Sequence, residues 1–212
     1  AHTGTGKTAA FCIPLIEMVL SKQCKRAIIL APTRELAKQI ETVVQTLTIK
    51  NSPVKSLSLV GGEPMGKQLN RLRSNPQIII GTPGRVNDHL KRKSLDLSKA
   101  NFLVLDEMDR MLDMGFSVQI EQILKFIPKE KQTLMFSATI SKTIEKLSSK
   151  YLSNPERVTV EEDKSSIPKI DQKVINLTSE EKFPYLVKHI QDQHGLMLVF
   201  AKTKRSAKKM AK

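Results

Sequence analysis

Residues 102–109 read FLVLDEMD: four apolar residues run directly into a cluster of three acids. An uninterrupted apolar strand belongs in a parallel sheet that is covered on both faces. Carboxylates placed straight after it are costly to bury unless they are paired or bound to a metal. The stretch therefore predicts a central strand with a charged site at its carboxyl end, where open α/β sheets hold their ligands.

Other segments repeat the pattern. RAIILA (26–31), KSLSLV (55–60), QIIIGT (77–82) and QTLMFSA (132–138) are short apolar runs. Each is followed by a stretch with helical spacing: 34–47, up to about Leu72, GRVNDHLKRK, and 141–152. MDRML and SVQIEQILKFI (117–127) follow the acidic cluster. RVTV (157–160) closes the series as a further strand. Strand–helix alternation with short connections predicts an open α/β sheet with helices on both faces. The polar, Pro-containing stretch 161–172 predicts a linker. Beyond it, KVINLT (173–178), a helix around 180–193 and LMLVF (196–200) look like the start of a second α/β domain. Such a piece is too short to bury a stable core alone.

Bulk properties narrow the function. The 212 residues carry a net charge of +14, which attracts polyanions such as nucleic acid. No apolar run approaches the roughly 18–20 residues that span a bilayer, and the first residues from Ala1 onward are not expected to be a signal peptide. Cys12 and Cys24 are twelve apart with no histidine at metal-ligand spacing, which argues against a disulfide framework or a zinc site and fits a reducing, cytoplasmic setting. A chain that starts at Ala1 is expected to be a fragment.

The opening residues, AHTGTGKT (1–8), have the composition of a phosphate cradle. Gly4 and Gly6 permit a tight loop whose backbone N–H groups point at an anion. Lys7 reaches the β- and γ-phosphates, and Thr8 offers its hydroxyl to Mg²⁺. The helical stretch that follows adds its N-terminal dipole, and Pro14 is expected to kink or tighten it. The acids of 106–109 complete such a site. Asp106 is expected to hold Mg²⁺ through water and Glu107 to orient or deprotonate the attacking water, with Asp109 left for a structural or coupling hydrogen bond.

Six short motifs occur in series: Ala1–Thr8 (A-x-x-G-x-G-K-T), Pro32–Ala37 (PTRELA), Gly61–Gly62, Thr82–Arg85 (TPGR), Asp106–Asp109, and Ser137–Thr139 (SAT). In this order and spacing they resemble the DEAD-box ATP-dependent RNA helicases, and DRMLDMGF (109–116) looks most like the bacterial RhlE-type members. The resemblance covers essentially the whole chain. It implies a RecA-like (P-loop NTPase) domain over 1–160 whose first strand is missing, a linker at 161–172, and an incomplete second RecA-like domain at 173–212. It further implies ATP and Mg²⁺ as cofactors and RNA as partner.

By this resemblance Ala1, His2, Thr3, Gly4, Thr5, Gly6, Lys7 and Thr8 bind nucleotide, with Lys7, Asp106 and Glu107 catalytic. Thr8 and Asp106 hold the metal, and Asp109, Ser137 and Thr139 couple the site to RNA. RNA meets Pro32, Thr33, Arg34, Gly61, Gly62, Thr82, Pro83, Gly84 and Arg85, and LVFAKTK (198–204) resembles the first RNA-contacting motif of the second domain. Local chemistry is compatible: Thr33 and Thr82 suit N-caps, Pro83 suits a first helical position, and Arg34 and Arg85 suit phosphate. Gly61 and Gly62 allow close backbone approach.

With no Trp and few Phe or Tyr, base-stacking platforms are not expected. Binding should be to phosphate and sugar, sequence-independent and salt-sensitive.

Met108 stands where the family has Ala, and the site is expected to function despite the added bulk. The family's adenine-recognising segment lies upstream of Ala1 and its late arginine motifs lie beyond Lys212. The 212 residues alone are therefore expected to bind ATP weakly and neither hydrolyse it fast nor unwind duplexes. Two other readings stand beside the helicase: a truncated, non-enzymatic RNA-binding remnant, and a P-loop translocase acting on DNA.

Overall fold

The apolar runs become five strands in the computed structural model, which describes residues 6–48, 52–159 and 170–211. They are β1 (Ala27–Leu30), β2 (Ser56–Leu59), β3 (Ile78–Gly81), β4 (Phe102–Leu105) and β5 (Gln132–Met135). All pair in parallel, in the order β2-β3-β1-β4-β5. Side chains alternate across the sheet, so each strand feeds two cores. Ile28, Leu30, Ile79, Leu103 and Leu105 face one apolar cluster, and Ile29, Ile78, Ile80 and Val104 face the other.

Helices α1 (Lys7–Leu20) and α2 (Arg34–Leu47) cover the second face with Phe11, Leu15, Ile40 and Val44. The first face is covered by α4 (Pro83–Lys91), α5 (Met108–Asp113), α6 (Ser117–Leu124) and α7 (Lys142–Tyr151). Helix α3 (Met65–Leu72) lies beside the edge strand β2 and buries a single residue, Gln68. Helix α1 runs on through Pro14 without a break. Both Pro14 and Ala10, whose carbonyl loses its i+4 donor there, are exposed, which leaves that end of the turn open to solvent.

The close approach of β3 to its neighbours depends on Gly81. A Cβ there would sit 2.6 Å from Val86 Cγ2 and 2.7 Å from the Leu59 carbonyl oxygen. Gly81→Ala is expected to cost about 1–3 kcal/mol of stability. Urea unfolding measures it, and an unchanged midpoint would show that the sheet relaxes freely here.

The chain divides into two units, Ala1–Glu161 and Glu162–Lys212. Within the second, α8 (Lys182–Asp192) and α9 (Lys204–Met210) form, and α8 corresponds to the helix expected around 180–193. The strands expected at 173–178 and 196–200 do not form, nor does the one at 157–160 over its described residues 157–159. Val174 is 90% exposed and Leu198 78% exposed. The physical reason is that these runs find no partner among the described residues: a strand's backbone groups need a neighbouring strand, and an apolar run needs a core. Neither α8 nor α9 buries a residue. Most of the expected linker, 161–169, lies outside the described residues.

Candidate nucleotide and RNA site

The residues singled out from the sequence follow the carboxyl ends of the five strands or open α1. Pro32, Thr33 and Arg34 follow β1; Gly61 and Gly62 follow β2; Thr82 to Arg85 follow β3. Asp106, Glu107 and Asp109 follow β4, and Ser137 to Thr139 follow β5. Because the order is β2-β3-β1-β4-β5, the two sets separate. The arginines and glycines share one half of the edge, and the acids share the other.

Ala1, His2, Thr3, Gly4 and Thr5 lie outside the described residues. Gly6 caps α1 in the left-handed region (φ 78°), where a side chain would be strained, and Lys7 and Thr8 open the helix. Asp106 is 3% exposed. Burial pushes its carboxyl up to about 6; the Lys7 ammonium and the Glu107 N–H, which donates to Oδ1 at 3.0 Å, pull against that. The Asp106 charge in turn helps burial push the Cys12 thiol up to about 12. Two residues of α1 thus feel Asp106, which sets the start of that helix beside the end of β4. Cys24 is likewise buried, its thiol pushed up to about 11, so neither cysteine is a ready thiolate.

Glu107 adopts a left-handed conformation (φ 49°, ψ 55°). Non-glycine residues reach it at a cost of order 1–3 kcal/mol, and such strain gathers at functional sites. The twist turns the chain from β4 into α5. Arg110 steadies the Glu107 carboxylate through a 3.0 Å ion pair to Oε2.

Asp109 ties the end of β4 to the end of β5. Its Oδ2 accepts from the Ala138 N–H (3.1 Å), the Thr139 N–H (2.9 Å) and the Thr139 hydroxyl (3.0 Å). Partial burial raises the Asp109 pKa, but the Thr139 donors, helped by Arg110 and Ser137, outweigh it and hold the carboxyl below its usual range. The Ser137 hydroxyl donates to the Thr139 carbonyl at 2.7 Å.

On the other half, the Thr33 hydroxyl caps α2 by accepting from the Leu36 N–H at 3.1 Å. Thr82 also stands at an N-cap, yet its hydroxyl makes no capping bond; Pro83 supplies the preset first helical residue instead. Pro32 is buried beneath this edge, and Gly84 has open space around it. The glycine pair has a neighbour that the sequence did not disclose. A Cβ on Gly62 would fall 2.2 Å from Arg34 Nη1, and one on Gly61 3.1 Å from Arg34 Nη2. The glycines therefore make room first for the Arg34 guanidinium.

Among the described residues no group of three or more His, Cys, Asp and Glu could hold a metal. A full protein cage is thus not on offer there. One carboxylate and one hydroxyl suit Mg²⁺, which keeps waters and leans on substrate phosphates. No helix among the described residues is long and apolar enough to cross a membrane.

Sequence reasoning missed Gln68, Glu63, His89 and Arg110. Gln68 sits in a polar helix that reads as surface, and its contacts come from residues five to twenty-one positions away. Arg110 was within reach of sequence analysis, since it lies at i+3 from Glu107 on a helix start.

A family model for the DEAD/DEAH box helicase matches residues 1–147. The DEAD-box ATP-dependent RNA helicase CshA of Bacillus subtilis (strain 168) is 40% identical over 213 residues, covering 100% of this chain and 43% of that protein. The protein of the same name from Geobacillus kaustophilus is 40% identical over 214 residues, covering 100% of this chain and 45% of that one. The chain thus spans less than half the length of these relatives. A DEAD box protein from Methanococcus jannaschii has a similar crystal structure, with TM-score 0.72, 38% identity, and coverage of 100% of this chain and 56% of that one. A hypothetical ATP-dependent RNA helicase from Sulfolobus tokodaii gives TM-score 0.67 at 36% identity over 74% of this chain and 45% of that one. The five-stranded parallel sheet is accordingly RecA-like, and the chain belongs to the DEAD/DEAH box helicase family.

Proposed function

We propose that this chain carries the ATP-binding half of an ATP-dependent RNA helicase, with Lys7, Asp106 and Glu107 at the reacting phosphate and Arg34 and Arg85 on RNA backbone. The observation that supports this most is the buried Asp106 carboxylate at the strand end, within the field of Lys7. A carboxylate so placed is costly without a cation, and Mg²⁺ brought with ATP offsets that cost. The ion, held by Asp106 and Thr8, would neutralise developing charge on the phosphates. Lys7 draws the terminal phosphates to the helix start, and Glu107 accepts a proton from the attacking water. Asp109 carries changes at the acids to residues 138–139 through its three hydrogen bonds.

The RNA half is supported by charge placed against the helix dipoles. Arg34 is the first residue of α2 and Arg85 the third of α4. Cations at helix N-termini are unfavourable by themselves, whereas a phosphate there is favoured by both dipole and arginine. Contacts of this kind read backbone and not base identity, so the RNA is bound without sequence preference. For the whole protein we propose closure of two RecA-like domains on RNA, with local duplex unwinding, in the cytoplasm.

The test is nucleotide binding by the 212-residue chain. ATP is expected to bind weakly and to need Mg²⁺, and Lys7→Ala is expected to weaken it roughly tenfold or more, the worth of one charged hydrogen bond. Calorimetry in Mg²⁺ and in EDTA measures both. Equal affinity in the two buffers, or in the Lys7→Ala chain, would overturn the assignment of this edge.

A further inference from the structure

The RNA-facing half of the strand edge contains a buried polar side chain that the proposed reaction does not use. Gln68 is 1% exposed. Its Nε2 donates to the Val60 carbonyl (2.9 Å) and to Glu63 Oε2 (3.2 Å). Its Oε1 meets Arg85 Nη1 (3.1 Å) and His89 Nε2 (2.9 Å). Arg85 Nη1 also donates to the Glu63 carbonyl at 3.2 Å.

The amide orientation is fixed by elimination. A backbone carbonyl only accepts, so the nitrogen faces Val60. Arginine only donates, so the oxygen faces Arg85. His89 Nε2 must then carry a proton, and the ring, buried at 0% exposure, leaves Nδ1 to the Ser94 hydroxyl at 2.9 Å. Burial first, then the Arg85 charge, holds the His89 pKa below its usual value.

Both bonds to Arg85 go to one nitrogen, Nη1. Nη2 and Nε make no hydrogen bond among the described residues, which leaves two edges of the guanidinium unused by them. The anchor is itself braced, since Glu63 Oε1 pairs with Lys38 of α2 at 2.8 Å. Ordering a long side chain before binding removes an entropy cost from the bound state.

The geometry points to Gln68 as a positioning residue for Arg85: its side-chain oxygen, held in register by Val60 and His89, sets the guanidinium for a phosphate of the RNA backbone. The inference rests on the proposed RNA half of the edge. Gln68 does not itself touch RNA in this scheme. Its neutrality matters, because a carboxylate in its place would compete with the phosphate for the arginine.

The test is binding of fluorescein-labelled oligouridylate to the 212-residue chain, by anisotropy over a range of KCl. Arg85→Ala is expected to weaken binding roughly tenfold and to reduce the slope of log affinity against log salt by about one contact. Gln68→Leu is expected to weaken it by a similar factor while Mg²⁺-dependent ATP affinity stays unchanged. In the Arg85→Ala background Gln68→Leu is expected to add nothing, a result that a general loss of structure would not produce. If Gln68→Leu does not fold, Gln68→Asn takes the amide out of reach of Arg85 while keeping a polar group in the pocket.

Native affinity in the Gln68 variants beside weakened binding in Arg85→Ala overturns the positioning role alone. Additive effects in the double variant do the same. Native affinity in Arg85→Ala overturns the RNA assignment of this face and the positioning role with it.

Discussion

Asp106→Asn is expected to make the nucleotide-free protein more stable at neutral pH and to abolish its Mg²⁺-dependent ATP binding. The carboxyl of Asp106 rises from 3.8 to about 6 in the folded chain, chiefly through burial. The folded state therefore holds this proton more tightly than the unfolded state does. Between pH 3.8 and about 6 it binds more protons, so stability falls as pH rises through that window and stays reduced above it. A shift of this size corresponds to about 3 kcal/mol at pH 7.

Asparagine carries no charge to desolvate. The variant should unfold at higher urea than the native chain at pH 7.5 and at about the same urea near pH 4. Mg²⁺ with ATP should raise the native midpoint and leave the variant where it is. If the difference between the two proteins were the same at both pH values, the burden would not lie on the Asp106 carboxylate.

This opposition between stability and function accounts for which parts of the site were legible in the sequence. The acids of 106–109 stood out because a carboxylate after a buried strand breaks a local rule of folding. The glycines and Lys7 stood out because phosphate binding needs them at fixed short spacing. Strands 27–30, 78–81 and 102–105 were readable as unbroken apolar runs, since each is covered on both faces. At 173–178 and 196–200 a similar signature forms no strand, since among the described residues these runs pair with no neighbour.

What stayed hidden depends on distant residues meeting. Gln68 is buried because a β2 loop and α4 close over it, and nothing in MGKQLNRL shows that. Likewise the glycine pair marks a close approach in any reading. That the approaching group within this chain is Arg34, twenty-seven residues upstream of Gly61, is a fact of topology.

Met108→Ala, which restores the family's usual residue, is expected to cost about 2–5 kcal/mol of stability while changing ATP affinity by less than tenfold. Against the family resemblance, Met108 reads as added bulk inside the acidic motif. The structure directs that bulk away from the acids. Met108 is 0% exposed and belongs to the apolar cluster that includes Met111, Ile120 and Ile123. Its N–H donates to the Phe136 carbonyl at 2.9 Å, a backbone bond that alanine keeps.

The left-handed turn at Glu107 separates the two roles: residues 106, 107 and 109 serve the edge, while the side chain of 108 serves the core. Truncation then leaves a cavity in the core and an intact acid cluster, so the penalty falls on folding and not on nucleotide. Urea unfolding and calorimetry with Mg²⁺ and ATP separate these outcomes. Unchanged stability with ATP binding tightened more than tenfold would mean that Met108 strains the acids, and that the turn does not insulate the site from its own core.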